Sequence, residues 1–186
     1  MEDVLGPDDI KVIHDFVDPE KSKVLVKFLD SCGEPTKFKE TRFERHIDNE
    51  EVRAIIQEIR DNALEAVAQY FNERELKIVK IKREHNTQLV RFSGEESLPS
   101  HVDMKRKNKW NPDITMIAYL NDNYGGGEVV FSEAKIEVKP IANSLIIFPS
   151  GMPHETKRNY PIEGLEYNYR CSVPMFFTFK VEELWK

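Results

Sequence analysis

The hydrophobic period of this chain changes near residue 75, and that change restricts it to an architecture in which helices are built first and a β-sheet core second. Before it, apolar residues recur at helical spacing. Val24, Leu25, Phe28 and Leu29 follow Asp18-Pro19, an N-cap and first-turn pair, and 47–71 carries one apolar stripe that includes Val52, Ile55, Ile59, Ala63 and Val67. Such a stripe packs on a core far more often than on a partner. After residue 75, short β-rich segments take over: LKIVKIK, TQLVRF, ITMIAYL, GEVVF, KIEVK, SLIIF and YRCSVPMFFTFK. Turn chemistry separates several of them, notably NDNYGGG at 121–127, Asn143-Ser144 and PSGMP at 149–153. Segments at this spacing predict a sandwich or barrel. The expected fold is therefore mainly β with packed helices (α+β), an antiparallel jelly roll with the N-terminal helices on one sheet.

At 186 residues the chain is expected to form one domain, 1–186, with 1–74 a mostly helical support and 75–180 the jelly-roll core. Its 40% hydrophobic content excludes intrinsic disorder. No apolar run approaches the ~20 residues of a bilayer span, and the opening MEDVLGPDD is acidic rather than a basic leader. A net charge of -6 argues against nucleic acid or anionic lipid as a partner. Cys32 and Cys171 have neither CxxC nor zinc spacing, which makes a disulfide framework unexpected and a reducing, cytoplasmic, soluble setting the expectation.

The chemistry concentrates in His101-Val102-Asp103, which follows a Pro99-Ser100 turn. Residues two apart in an extended chain project to the same side, so an imidazole and a carboxylate can meet one ion. A lone HxD is a common surface pattern; a second histidine gives it weight. His154 follows SLIIF and the PSGMP turn, where a buried strand ends at a cavity mouth. Two histidines and one carboxylate on a β scaffold form the facial triad of non-haem Fe(II), with three coordination positions left open.

The ordered series QLVRF, HVD, TMIAYLND, GGGEVVF, KIEVKP, SLIIFPS, PHE and YRCS, from Gln88 to Phe177, resembles the Fe(II)/2-oxoglutarate dioxygenases, specifically their prolyl 4-hydroxylase-like branch. The opening IKVIHDFVDPEKSKVLVKFL resembles the first strand and helix of the same branch. The resemblance implies a double-stranded β-helix, in agreement with the jelly roll read from periodicity. It implies His101, Asp103 and His154 as iron ligands and Arg170 as the basic residue that grips the distal carboxylate of 2-oxoglutarate through its planar fork. Ser172, on the Arg170 face by alternation, adds a hydroxyl. Tyr119 reads equally as a contact to that carboxylate or as a core tyrosine; Thr115 and Ile117 share its face and are expected to line the pocket. Gly125 to Gly127 resemble the family's GG turn and are read as backbone geometry, not as a phosphate cradle.

The implied activity is hydroxylation of an unactivated C–H bond by dioxygen and 2-oxoglutarate, with release of succinate and CO2 and with ascorbate helping to keep the iron reduced. Peptidyl proline, hydroxylated at carbon 4, is the implied substrate within a peptide or protein partner. A free amino acid, another protein side chain or a small metabolite is the competing enzymatic reading, and a non-enzymatic jelly-roll binding module is the competing reading of another class. Two departures from the pattern stand out. Phe92 occupies a place where many relatives have tyrosine, and fifteen residues separate His154 from Arg170, so that KRNYPIEGLEYN at 157–168 reads as an inserted loop on the active-site side. The basic run Lys105, Arg106, Lys107 and Lys109 with Trp110 reads either as a solvated loop or as a border of the substrate groove that steers an acidic or phosphorylated substrate.

Overall fold

The computed structural model describes residues 7–33, 39–93, 97–103, 112–163 and 169–183. In chain order its elements are strand β1 (Lys11–Ile13), helix α1 (Pro19–Ser31), β2 (Lys39–Phe43), helix α2 (Glu50–Asn72), β3 (Leu76–Ser93) and β4 (Leu98–His101). They are followed by β5 (Ile114–Tyr119), β6 (Gly125–Gly126), β7 (Val129–Phe131), β8 (Ile136–Val138), β9 (Leu145–Pro149), β10 (His154–Thr156), β11 (Asn159–Tyr160) and β12 (Tyr169–Glu183). The major sheet runs β1-β9-β5-β12-β3-β2, the minor sheet β4-β10-β7-β8, and β11 pairs with β6 in a two-stranded ribbon. All pairings within these sheets are antiparallel, as a jelly roll requires.

The helices form where their caps dictate. Asp18 accepts bonds from the backbone N–H groups of Glu20 and Lys21, and Asn49 accepts from Val52. Helix α2 accordingly begins at Glu50 rather than at Ile47, which is buried ahead of the cap. Both helices bury their apolar faces on the major sheet, in one cluster with Met116, Leu145, Val173 and Phe177. No helix among the described residues is long and apolar enough to cross a membrane.

Alternation along three central strands divides the major sheet into two buried faces. Ile114, Met116 and Ala118 of β5 meet the helices, whereas Tyr119 joins Val129, Phe131 and Phe148 between the two sheets. On β12, Cys171, Val173 and Met175 face the helices, while Arg170, Ser172 and Pro174 line a pocket between the sheets.

Two features differ from the sequence reading. LKIVKIK and TQLVRF are one continuous strand, β3, because REHN at 83–86 holds no glycine or proline and β12 pairs along its whole length, taking up the mismatch in register shifts near Phe177, Phe179 and Val181. The N-terminal part supplies, besides the expected first strand, a second strand of the major sheet that the sequence reading lacked. β1 pairs with β9, and β2, whose KETRF lacks apolar alternation, covers the edge of β3 from Gln88 to Phe92.

Candidate active site

The site begins as a β-ladder. β4 and β10 are antiparallel neighbours, and His101 stands directly opposite His154 in register. Two residues after β4 begins to bend away, Asp103 is pinned by its backbone N–H to the Ser150 carbonyl at 3.0 Å. Ligand atoms of His101, Asp103 and His154 all lie within 4.8 Å of one another. His101 Nε2 is 3.6 Å from Asp103 Oδ1 and His154 Nε2 is 3.7 Å from Oδ2, so one carboxylate faces both rings.

Both imidazoles are oriented by their other nitrogen. Nδ1 of His101 bonds the Pro99 carbonyl at 2.9 Å, and Nδ1 of His154 bonds the Met152 carbonyl at 3.0 Å. A carbonyl only accepts, so each Nδ1 carries the proton and each Nε2 lone pair faces the common centre. Burial lowers the His154 pKa, whereas the neighbouring Asp103 carboxylate raises that of His101. Burial pushes the Asp103 pKa upward, but the His101 hydrogen bond, the His154 charge and the Thr115 hydroxyl together hold it below the ordinary value.

Thr115 is fully buried on β5, and its Oγ1 donates to Asp103 Oδ2 at 2.8 Å and lies 2.8 Å from Ser150 Oγ. Its hydroxyl is committed to the triad carboxylate, and of the two residues expected to line the pocket beside Tyr119 it is Ile117 that does so. Four residues along the same strand, roughly 13 Å at strand rise, Tyr119 lines the pocket with Ser172, its register partner on β12, and with Arg170. Arg170 is 4% exposed, its Nη1 donates to the Gly127 carbonyl at 3.3 Å, and its guanidinium lies 4.1 Å from the centroid of the Phe92 ring. Phe92 thus provides a surface for the guanidinium where a tyrosine would have provided a hydroxyl. Tyr119 Oη and Arg170 Nε are buried without a hydrogen-bond partner among the described residues, and burial raises the Tyr119 pKa to about 12.

One lining residue carried no sequence signal. Lys39 of β2 stands opposite Phe92 in register, and its Nζ lies 5.3 Å from that ring's centroid. The residue is exposed as a whole, yet its ammonium end lies in the pocket, where burial and Arg170 lower its pKa against the pull of Asp103.

Part of the inserted loop closes one flank. Asn159 and Tyr160 pair with Gly126 and Gly125, and Asn159 Nδ2 reaches the Phe92 carbonyl at 3.4 Å. A Cβ on Gly125 would run into the Tyr160 ring, and Gly126, at φ +71°, would carry one into the Arg158 carbonyl. Lys105, Arg106, Lys107, Lys109 and Trp110 lie outside the described residues, as does 164–168 of the loop.

The residues fit a specific load. Two neutral imidazoles and a carboxylate are the donor set of an iron(II) facial triad, and unpartnered donors on Tyr119 and Arg170 suit a carboxylate at the other end of the pocket.

Residues 87–178 match the model of the 2OG-Fe(II) oxygenase superfamily. The chain is similar in structure to a viral collagen prolyl hydroxylase of Paramecium Bursaria Chlorella virus-1, solved as a 2OG complex, at 17% identity and a TM-score of 0.64 over 91% of this chain and 95% of that one. It is similar to a Pseudomonas putida prolyl-4-hydroxylase at 16% identity and a TM-score of 0.66, covering 92% and 93%. A Trichoplax adhaerens prolyl hydroxylase, in complex with a hypoxia inducible factor peptide, matches at 17% identity and a TM-score of 0.66, covering 92% and 84%. No curated protein sequence matches the chain.

Proposed function

We propose, for a chain that belongs to the 2OG-Fe(II) oxygenase superfamily and is thereby a non-haem iron dioxygenase, that it hydroxylates carbon 4 of a peptidyl proline, with release of succinate and CO2. The observation that carries this reading is the shared pocket: a His101–Asp103–His154 triad and the unpartnered donors of Tyr119 and Arg170 line one cavity. The prolyl hydroxylases among its structural neighbours, one of them bound to a peptide, support the substrate.

Iron(II) and 2-oxoglutarate, when bound, supply dioxygen activation coupled to decarboxylation of the 2-oxo acid. The protein's part is placement. His101 and His154 present Nε2 and Asp103 presents a carboxylate, the three groups that would hold the metal. Thr115 and the Ser150 carbonyl fix Asp103. Arg170 donates to the distal carboxylate of 2-oxoglutarate, with Tyr119 and Ser172 completing its hydrogen bonds. Ile117, Val129 and Pro174 supply apolar walls to the same pocket. Ascorbate serves as the reductant that keeps the iron ferrous, and the free thiols of Cys32 and Cys171 suit a reducing, cytoplasmic setting.

The test is aerobic incubation with Fe(II), 2-oxoglutarate, ascorbate and a panel of proline-containing peptides. Peptide-dependent succinate release with a gain of one oxygen on proline is expected. Succinate release that responds to free amino acids and to no peptide would overturn the peptidyl assignment.

A further inference from the structure

We infer that Lys39 is a second cationic anchor for 2-oxoglutarate, closing on the same distal carboxylate as Arg170 and standing in for the hydroxyl that Phe92 lacks. This rests on the 2-oxoglutarate reading of the pocket. Lys39 and Phe92 are register partners on β2 and β3, so the ladder itself brings the lysine across the ring. The ring then has two cations beside it, Lys39 Nζ at 5.3 Å from the centroid and the Arg170 guanidinium at 4.1 Å. Like charges gathered at one half-dry surface repel unless an anion lies between them.

Among the described residues no uncommitted carboxylate lines the pocket beside the two cations. Among the described lining residues the only carboxylate is Asp103, and it is held by Thr115 between the two histidines. Glu40, next to Lys39 on β2, bonds Arg91 and Arg42 at 2.6 Å each. Among the described residues Lys39 forms no salt bridge. An iron(II) ion with Asp103 leaves one positive charge, and Arg170 and Lys39 add one each. A dicarboxylate cancels most of that excess, and a 2-oxo acid with a single carboxylate cancels less. Lys39 therefore favours a dicarboxylate co-substrate over a monocarboxylate one.

The experiment is an oxygen-free titration of 2-oxoglutarate into the Fe(II)-loaded protein, read by the visible band of a chelated 2-oxo acid, with 2-oxopentanoate as the probe lacking a distal carboxylate. Lys39→Met is expected to weaken 2-oxoglutarate roughly tenfold, at the low end for a charged hydrogen bond because the site is part-exposed. It leaves 2-oxopentanoate unchanged, and adding Phe92→Tyr to that variant restores much of the loss. Unchanged 2-oxoglutarate affinity, or an equal loss for both acids, would overturn the inference, and absence of rescue would remove the claim that Lys39 replaces a hydroxyl. A wild-type protein that gives no band with 2-oxoglutarate would sink the dioxygenase reading itself, an outcome distinct from a wild-type band that Lys39→Met leaves untouched.

Discussion

Thr115 Oγ1 and Asp103 Oδ2, 2.8 Å apart, join the central strand of the major sheet to the carboxylate of the triad. Asp103 lies beyond the end of β4, and this bond with the Ser150 carbonyl is what fixes its position there. Thr115→Val keeps the shape and removes the hydroxyl. Iron affinity is expected to fall roughly 10- to 100-fold, the range for loss of a group that orients a metal ligand. Competition against a chelator measures it. Thr115→Ser restores the affinity, and a Val variant that binds iron as tightly as the parent contradicts the role.

Arg170 lines the same pocket as the triad and is expected to serve the co-substrate without touching the metal. Arg170→Gln is expected to weaken 2-oxoglutarate by about 1.5–3 kcal/mol, the value of a charged hydrogen bond. Iron affinity in the absence of co-substrate stays at the parent value. Paired calorimetric titrations with Mn(II) and then 2-oxoglutarate separate the two, and a parallel loss of metal would show that the residue serves the fold instead.

Gly126→Ala places a methyl against the Arg158 carbonyl on a residue at φ +71°. The substitution is expected to cost about 1 kcal/mol or more and to detach Asn159–Tyr160 from β6. Hydrogen exchange across 157–163 reads this directly: faster exchange confined to that segment is expected, and unaltered protection would mean that the pairing does not depend on the glycine.

Alkaline pH probes the helix-facing side of the sheet. Cys171 is fully buried, and burial pushes its thiol from 9.0 to about 12. The unfolded chain releases that proton near pH 9 while the folded protein retains it, so its contribution to stability is complete below pH 9 and is lost progressively up to about pH 12. Urea midpoints taken between pH 8 and 11 are expected to decline, by up to about 1 kcal/mol per pH unit from this group. Cys171→Ala flattens the decline, and an identical slope in the variant would contradict the assignment.

The candidate metal cluster was legible because its residues form a short motif, HxD, and a later histidine at the end of a buried strand. His101-x-Asp103 and His154 stand beside apolar runs, and Arg170 and Ser172 share a face of β12 by parity alone. Parity also put Thr115 inside, but whether its hydroxyl meets a ligand or Asp103 depends on where β5 crosses the end of β4, a long-range relation absent from local pattern. Lys39 was invisible for another reason. KETRF is an edge strand with one covered flank and mostly polar residues, and it gains strand character only from its partner β3. The continuity of β3 was hidden in the same way, since the polar residues 83–85 are tolerated where the sheet meets solvent.

The long pairing of β3 with β12 also sets the order in which the protein is assembled. Every strand of the minor sheet lies between them in sequence, so this ladder, which runs from Ser93–Tyr169 to Leu76–Glu183, closes over the whole of that sheet. Contacts so distant in sequence form late, after the entropy of loop closure has been met. During synthesis both histidines of the candidate metal site emerge before Arg170 does. A nascent chain therefore passes through a stage in which the metal ligands exist and the grip on 2-oxoglutarate does not, with the inner face of β3 still waiting for its neighbour and open to aggregation or to a chaperone.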